Sequence, residues 1–375
     1  MTRVVIVHNA PVSYKHLLFE KLAERLDLEV VYHVAASLGT VPNVDVESAR
    51  YKYRIGRAGQ HAKSGGIGAT PYIWKSLARI GPEVVITGGW ETAASWTAWL
   101  WSQTHGRPLI LWTESNHFDY KRVWWKESVK RLFLAGTFEV HVYGVNNVDY
   151  LRRLGYPDDR LLGDCAVVDF TTFASSADRR ARGNLRNLYF VGRFENMKNL
   201  PFLLKVFDEY VRRFSDSSMT LHLVGSGSLD GNLRQMTRGL ASRDRITFHG
   251  LINHDMLPTV LADADALILP STRETWGIVV FEAMASGLPV IVSQRCGTAG
   301  EITSETGWTF SPTDGEDLLH VLRLFEQAPR DRLCSMGAAG IRLASEHAPN
   351  RVAQRIATRV SAVANTVQLT EVRQK

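Results

Sequence analysis

Several features are scarce in this sequence, and each scarcity excludes a class of protein. The 375 residues include three cysteines (Cys165, Cys296 and Cys334), with no CxxC pair and no histidine at metal-ligand spacing. This pattern excludes a disulfide scaffold and predicts structural thiols in a reducing compartment. No window reaches the ~18 uninterrupted apolar residues of a membrane span. The sequence also has no repeat or low-complexity tract, which excludes a solenoid.

The N-terminus, Met-Thr-Arg-Val-Val-Ile-Val-His, is a short apolar run that ends at once in polar residues. A signal peptide needs a longer apolar stretch and a small-residue cleavage site. The run therefore predicts a first β-strand and a cytoplasmic protein. Because this strand is not followed by GxGxxG, a redox enzyme of the dinucleotide-binding kind is disfavoured.

The net charge is +6 and the isoelectric point is about 9.2, so the surface carries an excess of cations. Nucleic acid, an anionic membrane surface and a phosphorylated small molecule are all partners that such a surface suits. Net charge alone does not choose among them.

Short β-branched runs alternate with longer amphipathic segments in both halves of the chain, which predicts two parallel, doubly wound α/β domains. We expect an N-terminal domain over 1–172, a second over 173–345, and a helix over 346–375 that packs back on the first. The polar stretch Ser175–Asn184 predicts a linker. Two such domains in series place a ligand in the cleft between them, at the carboxyl ends of the strands. The predicted strands are Val4–Val7, Leu28–His33, Glu83–Thr87, Pro108–Thr113 and Val140–Tyr143, then Leu188–Val191, Thr220–Val224, Arg245–Phe248, Ala266–Pro270 and Pro289–Val292.

The most informative segment is Ser271–Ile291, which reads STRETWGIVVFEAMASGLPVI. A strand ends just before it, a loop carries Glu274, and a helix starts near Gly277 and stops at Gly287. The first amides of a helix form an anion site, and Gly277 lets the backbone approach a ligand closely because it lacks a Cβ. The segment therefore predicts a phosphate site.

Two carboxylates, Glu274 and Glu282, flank this phosphate site, and their natural partners are neutral diols such as ribose and sugar hydroxyls. The segment resembles the E-x7-E motif of the group-1 family of retaining GT-B glycosyltransferases. The resemblance implies a GT-B fold with two Rossmann-like domains, a nucleotide-sugar donor in the C-terminal half, Glu274 on the sugar and Glu282 on the ribose. It further implies donor contacts from Thr275, Trp276, Gly277, Ile278 and Val279.

A second segment, V-G-R-F-E-N-M-K-N, follows a predicted strand and carries two cations, Arg193 and Lys198. Cations fixed beside a departing diphosphate stabilise its charge more in the transition state than in the ground state. The resemblance places Gly192 against the donor and both cations on its β-phosphate. Family members commonly have Lys-Gly where this chain has Lys198-Asn199.

Two glycine turns follow the next two strands. Gly225 and Gly227 form one turn, and Gly250 with Leu251 and Ile252 forms the other. The resemblance assigns both to packing against the nucleotide. A plain tight turn explains the first of them equally well.

A D-x-D pattern at Asp263 and Asp265 matches the metal-binding motif of other glycosyltransferases. Here it precedes a strand, where its carboxylates are expected to cap a turn. Since cations and a helix start are already available to the diphosphate, the sequence predicts no metal and no cofactor beyond the donor.

The N-terminal half is expected to supply the acceptor side. Pro11 and Tyr14 follow the first strand, and Gly89 follows another. Many retaining relatives have a histidine that contacts the donor sugar after the strand corresponding to Pro108–Thr113. His117 is the candidate here, with Glu114 as the alternative.

The segment from Lys121 to Phe133 places five cations and two tryptophans on one predicted helix. This pattern is typical of a helix on an anionic membrane surface, and single-stranded nucleic acid binders combine the same residue types. The third interpretation is a plain helix whose Trp125, Val129, Leu132 and Phe133 pack inward. We expect no nucleic acid partner and leave the other two open.

These patterns predict a retaining, metal-independent hexosyl- or N-acetylhexosaminyltransferase that uses a nucleotide diphosphate sugar. Its acceptor is expected to be a saccharide or lipid-linked hydroxyl in polysaccharide, lipopolysaccharide or glycolipid assembly. A nucleotide-sugar epimerase of the same fold is one alternative. A non-enzymatic nucleotide-binding, membrane-docking protein is the other.

Overall fold

A computed structural model describes residues 1–33, 48–56, 70–118, 122–163, 165–175 and 186–373, without the side chains of residues 13, 14 and 368–373. The chain divides into two compact units. One comprises Met1–His117, Lys121–Val167 and Pro349–Lys375, and the other is chiefly Val168–Ala348. Positions 176–184 of the predicted linker lie outside the described residues.

The first unit contains a parallel sheet of seven described strands in the order β3-β2-β1-β4-β5-β6-β7. The core of β1 is four consecutive aliphatic residues, all buried, because helices cover both faces of a parallel sheet. The strands are β1 Arg3–His8, β2 Asp27–Tyr32, β3 Lys52–Ile55, β4 Val84–Gly88, β5 Leu109–Thr113, β6 Glu139–Val142 and β7 Leu161–Leu162, and the helices are α1 Ser13–Ala23, α2 Thr70–Ile80, α3 Ala93–Thr104, α4 Trp124–Ala135 and α5 Val145–Arg153.

The second unit contains a parallel sheet of six described strands in the order β10-β9-β8-β11-β12-β13. Its strands are β8 Arg186–Val191, β9 Met219–Val224, β10 Ile246–Gly250, β11 Ala266–Leu269, β12 Val290–Ser293 and β13 Gly307–Phe310. Its helices are α6 Phe170–Ala174, α7 Leu200–Arg213, α8 Asp230–Arg238, α9 Leu257–Leu261, α10 Ile278–Ala285, α11 Gly315–Gln327 and α12 Arg330–Glu346, before α13 Pro349–Arg373 returns to the first unit.

Both sheets reverse their strand order at one point, between β1 and β4 in the first and between β8 and β11 in the second. This is the doubly wound order of Rossmann-type domains, in which ligands bind outside the carboxyl ends of the strands at the reversal. The predicted GT-B fold with two Rossmann-like domains is confirmed. Among the described helices, none combines the length and the apolar character needed to cross a membrane.

An ion pair between a buried carboxylate and a partly exposed arginine ties α13 to the sheet of the first unit. Glu139 on β6 is only 1% exposed, and its carboxylate accepts a hydrogen bond from Arg359 at 2.5 Å. The other carboxylate oxygen lies 2.8 Å from His141 Nε2, while His141 Nδ1 accepts from the Trp112 indole at 2.7 Å. This arrangement requires a neutral imidazole that donates from Nε2, and burial lowers the pKa of His141 accordingly.

Removing Arg359 is expected to destabilise the protein, because it leaves a buried carboxylate without its cation. Arg359→Met should cost about 2–3 kcal/mol, since leaving a buried carboxylate without its cation costs more than removing both charges. The double variant Arg359→Met/Glu139→Gln, which keeps an acceptor for His141, should recover a large part of that loss. Urea unfolding measures both.

The matched control is Arg152→Met, because Arg152 pairs with Asp149 and Asp158 at an exposed position. Exposed pairs contribute at most about 1 kcal/mol. If Arg359→Met shifted the unfolding midpoint no further than this control, the ion pair would not be what holds α13.

Candidate functional site

The reversal point of the second sheet brings two predicted segments together. The loop after β8 carries Lys198, the loop after β11 carries Glu274, and the Lys198 ammonium donates directly to the Glu274 carboxylate. The Thr272 amide also donates to the Met197 carbonyl at 2.9 Å, which joins the two loops through the backbone. An ion pair and a backbone bond therefore fix the predicted cation and carboxylate against each other.

Three predicted glycines lie side by side at the carboxyl ends of β8, β9 and β10. The Gly192 amide donates to Val224 O at 3.0 Å, and the Gly225 amide donates to Gly250 O at 2.8 Å. A Cβ on Gly225, whose φ is +133°, would lie 1.9 Å from the Gly192 carbonyl oxygen. A Cβ on Gly227 would lie 2.6 Å from the Phe194 oxygen. Both glycines are thus required by loop-to-loop packing, in addition to any role toward a ligand.

Glu274 and the residues after it are held by a third loop, which was not predicted from the sequence. The Gly297 amide donates to the Glu274 carbonyl at 2.9 Å, and Thr298 donates to the Trp276 carbonyl at 3.1 Å. A Cβ on Gly297 would lie 1.9 Å from the Thr275 carbonyl oxygen. The run Cys-Gly-Thr-Ala-Gly shortly after β12 was the available signal for this contact.

Gly277 begins α10 with φ +90°, in the left-handed region that favours glycine. A Cβ there would lie 2.8 Å from the sulfur of Cys296, which is fully buried. Burial raises the pKa of the Cys296 thiol to about 12. The predicted structural role of this cysteine therefore matches its environment.

The end of α10 is a Schellman motif, as the glycine and proline after it predicted. The Gly287 amide donates to Met284 O at 2.8 Å, and the Leu288 amide donates to Ala283 O at 2.9 Å. The helix itself is apolar and almost entirely buried. Its start is therefore rigidly placed, and the Val280 amide donates to the carbonyl of Gly277, the N-cap residue, at 2.9 Å. The amides of Ile278 and Val279 precede this bond, at the end of the helix where a ligand can accept from them.

Glu282 is buried on α10 and pairs with a residue to which the sequence assigned no role. Its carboxylate lies 2.8 Å from His254 Nε2. The hydrogen bond with Glu282 raises the pKa of His254 above its ordinary value. The ring of His254 packs edge-to-face on Phe173 at 5.4 Å.

Asn199 adopts the left-handed conformation that glycine would provide, with φ +59° and ψ +29°. Asparagine tolerates this region better than other non-glycine residues. Its side chain also donates to the Pro312 carbonyl at 2.9 Å. The loop that presents Lys198 therefore keeps a glycine-like turn.

The remaining predicted donor residues differ in their exposure. Arg193 is exposed. Its charge is one of the causes that lower the pKa of Glu195, after two hydrogen bonds from Ser228. Thr275 and Leu251 are exposed, Ile252 and Ile278 are half-buried, and Trp276 and Val279 are buried.

The D-x-D pair lies at the amino ends of the strands, the opposite end of the sheet from the glycine turns. Asp265 accepts from the Asn187 amide at 2.9 Å and forms an ion pair with Arg330. Its carboxylate thus binds the backbone near the start of β8 and an arginine side chain at the start of α12. At Asp265 these contacts take the place of the predicted turn cap.

In the first unit the predicted acceptor residues lie at the carboxyl ends of the strands. Gly89 has φ +76°, and its amide donates to the Trp112 carbonyl at 2.8 Å. The carbonyl of Glu114 accepts from Asn147 at 2.7 Å. His117 is half-buried, and burial, then Arg153 and Arg122, lowers its pKa. Pro11 is buried, and the Tyr14 side chain lies outside the described part of the chain.

Lys15, one residue beyond Tyr14, is an unexpected member of this group. It is 5% exposed, and its ammonium lies 4.6 Å from the Trp112 ring centroid and 4.7 Å from that of Tyr143. Burial lowers its pKa, which the negative charge of Glu114 partly offsets. Since lysines are almost always exposed, the sequence held no signal for its burial.

Comparisons with known proteins agree with this geometry. Residues 174–340 match the family model of "Glycosyl transferases group 1". A sucrose-phosphate synthase from Thermosynechococcus elongatus has the same fold, with a TM-score of 0.76, 20% identity, and coverage of 97% of this chain and 100% of that one. HepE of Anabaena, solved in complex with UDP, has a TM-score of 0.74 at 15% identity, covering 96% of this chain and 100% of that one.

Curated relatives match over shorter stretches. An Arabidopsis thaliana sulfoquinovosyl transferase is 32% identical over 137 residues, which are 36% of this chain and 25% of that protein. A D-inositol 3-phosphate glycosyltransferase of Arthrobacter sp. is 29% identical over 174 residues, 44% of this chain and 41% of that protein. The chain thus spans less than half the length of these relatives. The similarity to the group-1 glycosyl transferase model lies within the second unit, and the solved structures show the fold.

Gly225→Ala is expected to disrupt the site, because the new methyl would overlap the Gly192 carbonyl. We expect a loss of about 3 kcal/mol, from strain and overpacking together. Gly231→Ala is the matched control, since Gly231 lies on α8 and a methyl added there would meet open space. The control should be neutral or slightly stabilising. Equal thermal unfolding midpoints for the two variants would contradict the close packing of the loops.

The His254–Glu282 pair is expected to make stability depend on pH. Because the folded-state pKa of His254 lies above its ordinary value of 6.5, the pair contributes fully below that pH. The contribution is lost as the pH rises through the raised pKa. His254→Gln should flatten the pH dependence of the unfolding midpoint. In an NMR titration, Glu282→Gln should lower the pKa of His254, and an unchanged value would show that the carboxylate is not its cause.

Proposed function

We propose that this protein is a retaining glycosyltransferase that moves a sugar from a nucleotide diphosphate sugar to an acceptor hydroxyl. The observation that carries the proposal is the contact of Lys198 with Glu274 at the reversal point of the second sheet, beside the start of α10. A cation and helix amides suit a diphosphate, while a carboxylate suits the hydroxyls of a sugar. Few other ligands carry both a diphosphate and sugar hydroxyls, and so few others need these two kinds of protein group within one set of loops.

The reaction needs charge stabilisation at one place, the departing diphosphate. The bond from the sugar C1 to the phosphate oxygen breaks, and a bond from the acceptor oxygen to C1 forms on the same face. The acceptor proton passes to the leaving phosphate oxygen. Lys198, Arg193 and the first amides of α10 hold the growing negative charge, and such preorganised groups are worth several kcal/mol each.

Glu274 has a second task, which is to bind donor-sugar hydroxyls while it orients Lys198. Glu282 is proposed to bind the ribose through its remaining acceptor capacity, with His254 holding the carboxylate in place. Gly192, Gly225, Gly227 and Gly250 allow the nucleotide to approach the backbone. Because the cations can balance the diphosphate, the proposal includes no metal, and activity should persist in EDTA.

The first unit is proposed to bind the acceptor through the carboxyl ends of β1, β4 and β5. His117 or Glu114 would contact the donor sugar, and Pro11, Tyr14 and Gly89 would line the acceptor. A saccharide or lipid-linked acceptor in polysaccharide, lipopolysaccharide or glycolipid assembly is the class we propose. UDP-hexoses and UDP-N-acetylhexosamines are the first donors to test, since HepE of Anabaena was solved with UDP.

Substitution of the two paired residues tests the proposal. Glu274→Gln and Lys198→Met should each lower kcat by about 10²- to 10³-fold, as expected when a preorganised electrostatic group is lost. A thermal-shift panel of UDP, GDP and ADP and their sugars identifies the donor first. Release of nucleoside diphosphate with and without acceptor then measures turnover, and NMR of the product gives its anomeric configuration.

The matched controls are Arg213→Met and Glu316→Gln, which break an exposed ion pair of the same unit with a separation of 3.0 Å. They should leave turnover unchanged. Full activity of Glu274→Gln in folded protein would rule out the proposed site, and a product of inverted configuration would rule out retention alone.

A further inference from the structure

We propose that helix α4 lies on an anionic lipid surface and attaches the first unit to it. Among the described residues, ten large apolar side chains are exposed, and four of them are on this one helix. They are Trp124 (81% exposed), Leu132 (57%), Trp125 (51%) and Val129 (43%). This inference does not depend on the proposed transferase activity.

The four side chains form one continuous face of the helix. Successive residues of a helix are about 100° apart around its axis. Going around α4, the order of the four is Trp124, Leu132, Trp125 and Val129, and together they cover an arc of roughly 140°. Ser128 lies within the same arc and is exposed. The interpretation in which Trp125, Val129 and Leu132 pack inward is therefore wrong, and only Phe133 of that set is buried.

Next to the exposed arc, α4 is attached firmly to the rest of the unit. Phe133 packs edge-to-face on Trp96 at 4.9 Å, and its carbonyl accepts from the Trp99 indole at 3.0 Å. The exposed face is thus the outer side of a docked helix, rather than a helix waiting to fold against its own unit.

The charges of the helix are separated in the same way. Its one carboxylate, Glu127, is turned inward, where Lys130 donates to it at 3.1 Å and the Tyr150 hydroxyl at 3.0 Å. Lys126 and Arg131 are exposed on either side of the apolar arc. The outer surface of α4 therefore presents apolar side chains between cations, with no carboxylate of its own.

This combination fits anionic lipid better than other partners. Tryptophan prefers the interface between headgroups and acyl chains, and cations beside it attract anionic headgroups. A second copy of the chain, paired through the same face, would set Lys126 and Arg131 against like charges. Single-stranded nucleic acid stacks on aromatic rings, and such stacking does not explain why the aliphatic side chains of Val129 and Leu132 are exposed on the same face.

Vesicle sedimentation of the full chain tests the proposal. The protein should bind vesicles of phosphatidylcholine with phosphatidylglycerol much more tightly than vesicles of phosphatidylcholine alone, and high salt should weaken the binding. Lys126→Gln and Arg131→Gln should each lower the partition coefficient about five-fold. The double variant Trp124→Ser/Leu132→Ser should lower it by more than about ten-fold.

The matched controls are Leu324→Ser, an exposed leucine on α11 of the second unit, and Arg213→Gln. Both should bind vesicles as the wild type does. Since all substituted side chains are exposed, unfolding midpoints should not change, and nucleotide-induced thermal shifts should persist in every variant. Vesicle binding tests this proposal and the nucleotide-induced thermal shift tests the proposed function, so failure of one can be told from failure of the other.

Several results would overturn the proposal. One is a wild type that does not bind anionic vesicles, and another is an α4 variant that binds as tightly as the controls. A wild-type dimer that Trp124→Ser/Leu132→Ser converts to a monomer would assign the face to a second copy. Binding of single-stranded RNA by a wild type that shows no preference for anionic vesicles, lost in the same variant, would assign the face to nucleic acid.

Discussion

The close approach of backbone to backbone at the carboxyl ends of β8, β9 and β10 is the constraint on which the second unit depends. Gly225 lies against the carbonyl of Gly192, and no side chain fits between them. The approach aligns the loop after β8 so that Lys198 reaches Glu274. The Gly297 loop then fixes Glu274 from the other side. The charged pair is thus placed by backbone packing, which is much stiffer than a pair of long side chains.

Strand–helix alternation made the fold predictable, because the buried parallel strands are short, largely apolar runs bounded by polar residues or turns. The strands that were not predicted are of a different kind. β3 is Lys-Tyr-Arg-Ile and only partly buried, β7 has two residues, and β13 contains a glycine and a half-buried tryptophan. Edge strands bury less surface, so their sequences carry less of the pattern.

The site was predictable where a residue type is required by the backbone and obscure where a contact depends on tertiary packing. Gly277 and Gly287 marked both ends of α10 because each has positive φ. The pairing of Glu282 with His254 could not be read from the sequence, since the two come from separate elements. The inward orientation of Glu127 could not be predicted either, because it depends on a contact with Tyr150 of another helix. The sequence therefore did not show that the outer surface of α4 carries cations and no carboxylate.

The burial of Cys296 beneath Gly277 also separates the three thiols by reactivity. Cys165 and Cys296 are buried, whereas Cys334 is exposed on α12. Only the thiolate reacts, and burial raises the pKa of Cys296 to about 12. An electrophile or mild oxidant would therefore modify the chain at Cys334 and leave the sulfur under the helix start untouched. A single fluorophore could be attached there without any substitution in the sequence.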